Sequence, residues 1–326
     1  MRRRLGGAFL LCGAVALLGF AILVEQAGAQ QVSAQQTGAL PGDAIANNEP
    51  VSPLPMPPVG DPRRIALGQR LFEEPLLSRD GSRSCGSCHD IRGNGASHAA
   101  HDIGLDGKPL ALNTLTIFNA AASFRLSWTG KQRSFEEQAR SSIESPRIMG
   151  STVPAVAAKL GDNPEYRRLF VAAYSRAPDE AAVLDAIAAY ERSLLTPGSR
   201  FDRWLQGDAN ALSADELTGY QLFKSLGCVS CHQGVNIGGN LFQRHGIFHP
   251  LGSPQPEILR VPSLRNVATT APYFHDGSAA TLEDAVEKMG YAQLNTLLQP
   301  DEVLDIVAFL KTLTGTIDGH PVGAAP

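Results

Sequence analysis

Along most of this chain apolar residues recur at the three-to-four spacing of helices, with helix-capping residues just ahead of them. Ser134 with Glu137, Ser213 with Glu216 and Thr281 with Asp284 each set a hydroxyl three residues before an acid, the capping-box pattern or a close relative. Asn163-Pro164 places a cap and a first-turn proline before Glu165–Tyr174. Ala181–Leu195 and Asp301–Leu313 have apolar residues at helical spacing, and Val303, Ile306, Val307 and Leu310 form one face, which reads as plain core packing. No segment alternates convincingly as a strand, although the pattern leaves room for short β pieces. The predicted class is all-α.

One apolar stretch is different. Leu5 to Val24 is almost unbroken, follows Arg2-Arg3-Arg4 and leads to the small residues Ala27-Gly28-Ala29. That predicts a signal peptide over residues 1–29, cleaved so that the mature chain starts at Gln30 and is exported. An uncleaved membrane anchor is the alternative, because the run approaches spanning length. Cys12 follows the bulky Leu11, a poor lipoprotein site, and would be lost on cleavage. Residues 30–59, with Pro50, Pro53, Pro55, Pro57 and Pro58, read as an extended, poorly ordered leader.

The remainder contains a repeat. Gly68-x-x-Leu71-Phe72 and Gly219-x-x-Leu222-Phe223 recur ahead of two similar pentapeptides. The reading is two domains, 60–198 and 199–319, followed by a tail, 320–326. Charge narrows the partners. The 326 residues carry a formal net charge of −4, and removing Arg2, Arg3, Arg4 and Glu25 leaves 25 basic against 31 acidic residues, near −6. Without a basic tract or aromatic-interleaved basic patch, nucleic acid is excluded as a partner.

The two pentapeptides are Cys85-Gly86-Ser87-Cys88-His89 and Cys228-Val229-Ser230-Cys231-His232, and they use every cysteine outside the N-terminal segment. Cys-x-x-Cys-His is the c-type attachment signature: two thiols add to the vinyl groups of a haem, and the adjacent histidine becomes an axial iron ligand. A zinc site would need further ligands, and no third or fourth cysteine accompanies either pair. Two covalently bound haem c groups are therefore expected, and their attachment outside the cytoplasm agrees with the export signal. Met289 is the one methionine of the mature chain that follows the second motif within its domain, and a thioether opposite imidazole raises the reduction potential.

The chain resembles the bacterial di-haem cytochrome c peroxidases and their relative MauG over about residues 60–315. The resemblance rests on Leu67-Gly68-x-x-Leu71-Phe72, Ser78-Arg79-Asp80-Gly81, Trp128-Thr129-Gly130 and Phe135-Glu136-Glu137-Gln138-Ala139. It continues through Ser193-Leu194-Leu195-Thr196-Pro197, Phe201-Asp202-Arg203 and Val261-Pro262-Ser263-Leu264-Arg265-Asn266-Val267. It ends on Ala271-Pro272-Tyr273-Phe274-His275-Asp276-Gly277-Ser278.

The resemblance implies two cytochrome c-like domains. The first would carry the peroxidatic haem on Cys85, Cys88 and His89, and the second an electron-entry haem on Cys228, Cys231 and His232 with Met289 opposite. It implies that Trp128 stands between the haems and shortens the electron path. It implies Ca²⁺ between the domains at Asn113, Thr270 and Pro272, hard-oxygen ligands suited to that ion. The implied reaction is reduction of H₂O₂ in the periplasm with electrons from a small donor protein, a cytochrome c or a cupredoxin. Homodimers are common in the family, and no motif in this chain bears on that.

The first haem site departs from the family pattern. Leu105 stands where a distal histidine is expected, Ile148 where a catalytic glutamate is expected, and Leu112 where an arginine is expected, while Gln138 and Asn119 are retained. Leu105 and Ile148 cannot take or return a proton, and losing a general acid or base typically costs about 10²–10⁴-fold in rate. His98 and His101 are candidates for a substitute base or iron ligand, with Asp102 orienting a ring; the other reading makes them exposed loop histidines. His245 and His249 read as surface or haem-propionate contacts. Three functions are consistent with these residues: a peroxidase with an atypical distal pocket, a MauG-like oxidase modifying a protein or organic substrate, or a non-catalytic electron-transfer cytochrome. Met289 argues against the second, because MauG carries tyrosine at that position, and Tyr291 is a weak competitor for it.

Overall fold

The computed structural model describes residues 48–323. The expected signal peptide and Cys12 lie outside the described residues. Helix α1 (Pro62–Phe72) starts at Asp61, whose side chain accepts the Arg63 N–H, and Pro62 occupies the first turn where a missing N–H breaks no bond. It is followed by α2 (Phe135–Glu144), α3 (Val153–Asp162), α4 (Pro164–Tyr174) and α5 (Glu180–Ser193). The second half contains α6 (Arg200–Leu205), α7 (Ala214–Ser225), α8 (Leu282–Leu294) and α9 (Pro300–Lys311). Two short antiparallel pairs complete the described chain: β1 (Phe242–Arg244) with β2 (Ile258–Arg260), and β3 (Thr316–Ile317) with β4 (His320–Pro321). The all-α class holds.

The capping signals act as expected. Ser134, Ser213 and Thr281 accept N–H bonds from Glu137, Glu216 and Asp284, and Asn163 accepts from Glu165 and Tyr166. These helices start where a polar side chain satisfies N–H groups that have no partner within the helix. No described helix is long and apolar enough to cross a membrane.

The apolar residues gather into two main clusters. One joins Leu67, Leu71, Ile143, Val153, Leu160, Phe170 and Ile187. The other joins Phe201, Tyr220, Phe223, Val286, Ile306 and Phe309. Each is built on a close helix crossing, and glycine permits both. A Cβ on Gly68 would lie 1.9 Å from the Ala186 carbonyl oxygen where α1 crosses α5, and one on Gly219 would lie 1.8 Å from the Asp305 carbonyl oxygen where α7 crosses α9. The sequence repeat is thus the pair of glycines that lets two helices touch backbone to backbone.

A second, less visible repeat lies in the loops. Asn119 and Asn266 both take φ 61° and start short 3₁₀ turns, Ala120–Ala122 and Val267–Thr269. Farther on, Leu126 pairs with Gln132 and Tyr273 with Ala279, enclosing Ser127 and Phe274 at φ 65° and 70°. Counting from either landmark makes Trp128 and His275 equivalent, and likewise Asn113 and Arg260.

Both ends of the described chain are docked. Of the segment expected as a poorly ordered leader, the described part, residues 48–59, has neither helix nor strand, but Val51 is fully buried in the second cluster. Glu49 reaches the Tyr220 hydroxyl and pairs with Lys224 at 3.0 Å. Buried Arg265 pairs with buried Asp202 at 2.6 Å and donates to the Ser52 carbonyl, while Leu54 N–H donates to Asp202. Burying a valine stabilises by about 1.5–3 kcal/mol, which holds this strap where proline-rich composition alone predicted freedom. At the other end Val322 packs with Phe72, Phe118 and Tyr190 of the first half.

Candidate functional site

The second pentapeptide forms a 3₁₀ turn, Cys228–Ser230, entered through Gly227 at φ 95°. His232 N–H donates to the Cys228 carbonyl, which turns the histidine ring inward, and its Nδ1 lies 3.4 Å from the Ile237 carbonyl oxygen. Burial pushes the His232 imidazole down to about 4, against the opposing pull of the Ile237 and Pro262 carbonyls. The ring is therefore neutral and able to ligate a metal. Cys228, Cys231, His232 and Met289 all line one cavity of about 440 Å³ whose other walls include Phe223 and Leu310. Two thiols, a neutral imidazole and a thioether around an apolar space are the donor set and environment a haem c requires, and these residues fit the group.

The first pentapeptide repeats the geometry. Cys85–Ser87 is again a 3₁₀ turn, His89 N–H donates to the Cys85 carbonyl, and His89 Nδ1 lies 3.2 Å from the Gly95 oxygen. Burial lowers the His89 pKa as it does that of His232. The phenylalanine in the last turn of each preceding helix stands in the same relation to its histidine: Phe72 to His89 at 6.2 Å and 53°, Phe223 to His232 at 6.3 Å and 52°. The first site thus offers the same attachment turn and the same neutral ring.

Leu105 lies against the turn that carries Ile148. Leu105 N–H donates to the Arg147 carbonyl, and its side chain is the nearest neighbour a Cβ on Gly150 would meet. Arg147 fixes this approach by pairing with Asp106 at 2.9 Å and donating to the Lys108 and Pro109 carbonyls. Gln138 donates from Nε2 to the Ser142 hydroxyl at 3.3 Å, and its Oε1 is buried without a partner. His98 is exposed. His101 is half-buried with Nδ1 unpartnered, and its neighbour Ala100 backs onto Gly277 of the second half. Asp102 accepts from the hydroxyls of Ser97 and Thr114, not from either histidine, so it orients neither ring.

Trp128 is 8% exposed and lines the cavity of the second attachment turn. Its Nε1–H donates to the Asn113 carbonyl at 2.8 Å, Asn113 N–H donates to the His275 carbonyl at 2.8 Å, and Arg260 N–H donates to the Trp128 carbonyl at 2.7 Å. Asn113, Thr270 and Pro272 line the same cavity as Trp128. The Asn113 side-chain NH₂ donates to the Ala99 and Ala100 carbonyls. Among the described residues no cluster of three His, Cys, Asp or Glu side chains is placed to hold a metal ion.

One group here had no sequence signal. Arg260 is buried on the cavity wall, with the Ser127 carbonyl and Ser123 hydroxyl as partners. His275 lies tilted against His245 at 4.6 Å, and both His245 nitrogens face carbonyls, of Leu251 and Pro256. Tyr291 is 44% exposed and lies flat on His249 at 3.8 Å.

Comparison with known proteins accords with this geometry. Residues 62–210 match the family described as di-haem cytochrome c peroxidase, and residues 217–314 match that described as cytochrome c. The cytochrome c551 peroxidase of Nitrosomonas europaea is 41% identical over 83% of this chain and 86% of its own length. The methylamine utilization protein MauG of Methylorubrum extorquens is 33% identical over 77% of this chain and 78% of its own. A crystal structure of a MauG-like protein associated with microbial copper homeostasis superposes with a TM-score of 0.69 at 28% identity, covering 80% of this chain and 93% of that one.

Proposed function

Because the chain belongs to the family of di-haem cytochrome c peroxidases and MauG and is a peroxidase-type di-haem oxidoreductase, we propose that it reduces H₂O₂ to water at its first haem with electrons entering at its second. One observation carries the division of labour: Met289 lines the same cavity as Cys228, Cys231 and His232. Cys85, Cys88 and His89 would hold one haem, and Cys228, Cys231 and His232 the other with Met289 opposite. When bound, each haem supplies a one-electron iron couple, and together they supply the two electrons that convert H₂O₂ and two protons into two waters.

The chain's own residues shape that chemistry. Met289 would supply a thioether ligand to the second haem and would raise its potential, which would suit it to accept electrons from a small cytochrome c or cupredoxin. Tyr291, the competing ligand, is turned to the surface against His249, which favours the peroxidase path over the MauG-like one. Trp128, hydrogen-bonded to Asn113 on the wall of the second cavity, would provide an aromatic stepping point. Asn113, Thr270 and Pro272 would hold Ca²⁺ through one side-chain oxygen and two carbonyls, coupling the two halves to metal occupancy. The halves would be domains 60–198 and 199–319, working in the periplasm after export.

At the first site Leu105 and Ile148 exclude water and move no proton. Gln138 Oε1 can accept a hydrogen bond there and so orient a protonated oxygen, but it cannot act as a base. Turnover is accordingly expected about 10²–10⁴-fold below that of an enzyme with a distal base. The test is stopped-flow spectroscopy of the fully reduced holoprotein mixed with a small excess of H₂O₂. Oxidation of both haems, followed by repeated cycling with a reduced donor, is expected. A first haem that stays inert while the second cycles would overturn the peroxidase reading in favour of an electron carrier.

A further inference from the structure

Glu191, near the end of α5, is a buried carboxyl that none of the chemistry above uses. It is 8% exposed, and its Oε2 accepts no hydrogen bond. The following residue does not neutralise it: the Arg192 guanidinium turns to Glu136 at 2.5 Å and stacks over the Phe135 ring. An uncompensated carboxylate in such a place is costly, and burial raises the Glu191 pKa to about 8.

Two observations place this carboxyl at the first haem site. The adjacent Tyr190 packs in one cluster with Phe72 and Cys85, its ring 5.5 Å from that of Phe72, which in turn lies 6.2 Å from the His89 ring. The helix repeat gives the same placement independently. Ala186 and Asp305 are equivalent because each supplies the carbonyl touched by its partner glycine. Five residues farther on, Glu191 therefore stands where Leu310 stands in the second half, and Leu310 lines the second cavity. One half has an aliphatic wall at this position; the other has an acid.

We propose that Glu191 is the proton-holding group of the first haem: it takes up one proton as one electron arrives and releases it as the electron leaves. The electron comes from the second haem and the proton from solvent, so the charge of the buried site is unchanged by reduction. In a low-dielectric interior that compensation makes the two events favour each other. The idea rests on the reading that Cys85, Cys88 and His89 carry a haem, and not on peroxide chemistry.

The groups facing Glu191 leave it as the one that titrates. Glu136 stays ionised because, although burial opposes it, hydrogen bonding and charge from Arg192 hold its pKa below the ordinary range. Tyr190 is pushed up to about 12, chiefly by burial and then by the charges of Glu73, Asp318 and Glu191, and stays neutral. Cys85, as a thioether, has no proton to lose.

The experiment is a spectroelectrochemical titration of the first haem of the holoprotein from about pH 6 to about pH 9, without peroxide. Well below pH 8 Glu191 already holds its proton and the potential should be flat; above about pH 8 it should fall with rising pH by up to about 59 mV per unit, the value of one proton per electron for a tenfold change in proton activity. Glu191→Gln, equal in shape but unable to ionise, should flatten the slope. A flat slope in the unsubstituted protein above that pH, or an unchanged slope in Glu191→Gln, would overturn the proposal. If the variant does not assemble, redox-difference infrared spectra of the unsubstituted protein in that alkaline range decide: the carbonyl stretch of a protonated carboxyl must appear on reduction, and its absence is equally fatal. A count of one haem per chain would instead sink the reading beneath it.

Discussion

Trp128 and His275 occupy equivalent places in the two halves, and their rings meet edge to face at 6.2 Å and 74°. The backbone joins them reciprocally, since Asn113 N–H donates to the His275 carbonyl and its counterpart Arg260 N–H donates to the Trp128 carbonyl. An approximate two-fold relation thus runs between the two rings, and one ring of the pair is the Trp128 indole on the wall of the second cavity.

Replacing that indole tests the electron path. Trp128→Phe keeps an aromatic ring but removes the pyrrole ring of the indole and with it the Nε1–H bond to Asn113. Electron transfer from the second haem to the first, followed after flash reduction, should slow by about tenfold, equivalent to about 1.4 kcal/mol of barrier. The absorption spectra of both haems should not change. An unaltered rate would remove Trp128 from the path.

Metal occupancy is tested at Asn113. Its side chain can be shortened while its backbone bonds to His275 and Trp128 remain. Asn113→Ala should weaken Ca²⁺ binding by about tenfold, measured by titrating chelator-treated holoprotein, and chelation should slow inter-haem transfer in the unsubstituted protein. Equal binding by both proteins would show that the ion, if bound, sits elsewhere.

The helix crossings make a sharp contrast. At Gly219 an added methyl meets the Asp305 backbone at 1.8 Å, whereas at Gly161 in α3 nothing lies within 4 Å. Gly219→Ala should therefore destabilise by about 1–3 kcal/mol or more through forced displacement of α9. Gly161→Ala should be neutral or stabilise by up to about 1 kcal/mol. Thermal melts of the two variants beside the parent decide it, and similar melts would mean the crossing is looser than drawn.

The buried pair Arg265–Asp202 offers a further check, since it joins the strap at Ser52 and Leu54 to the second half. Removing one partner by Arg265→Met leaves a buried carboxylate alone and should cost about 3–5 kcal/mol in denaturant unfolding. Adding Asp202→Leu should recover much of that loss, because the stranded charge goes too. No recovery would place the cost in the hydrogen bonds from Arg265 to the Ser52 and Val235 carbonyls.

What could be read from the sequence alone was local. Ser134, Asn163, Ser213 and Thr281 cap helices because a side-chain oxygen and an N–H two or three residues away are neighbours in any helix start. The two Cys-x-x-Cys-His turns likewise present thiols and imidazole through bonds made within five residues. Gly68 and Gly219 were visible as a repeat, but their purpose required knowing that Ala186 and Asp305 lie across from them. Tertiary structure decided the rest because the deciding contacts join distant positions. Val51 is buried only once Phe201 and Tyr220 form a cluster, and Asp102 turns to Thr114 rather than to a histidine. Trp128 finds His275 only through the loop repeat. Glu191 looks like an ordinary charged residue in an amphipathic helix; folding buries it and turns the neighbouring Arg192 guanidinium to Glu136. Burial without a partner is a property of the assembled interior, and no local pattern can announce it.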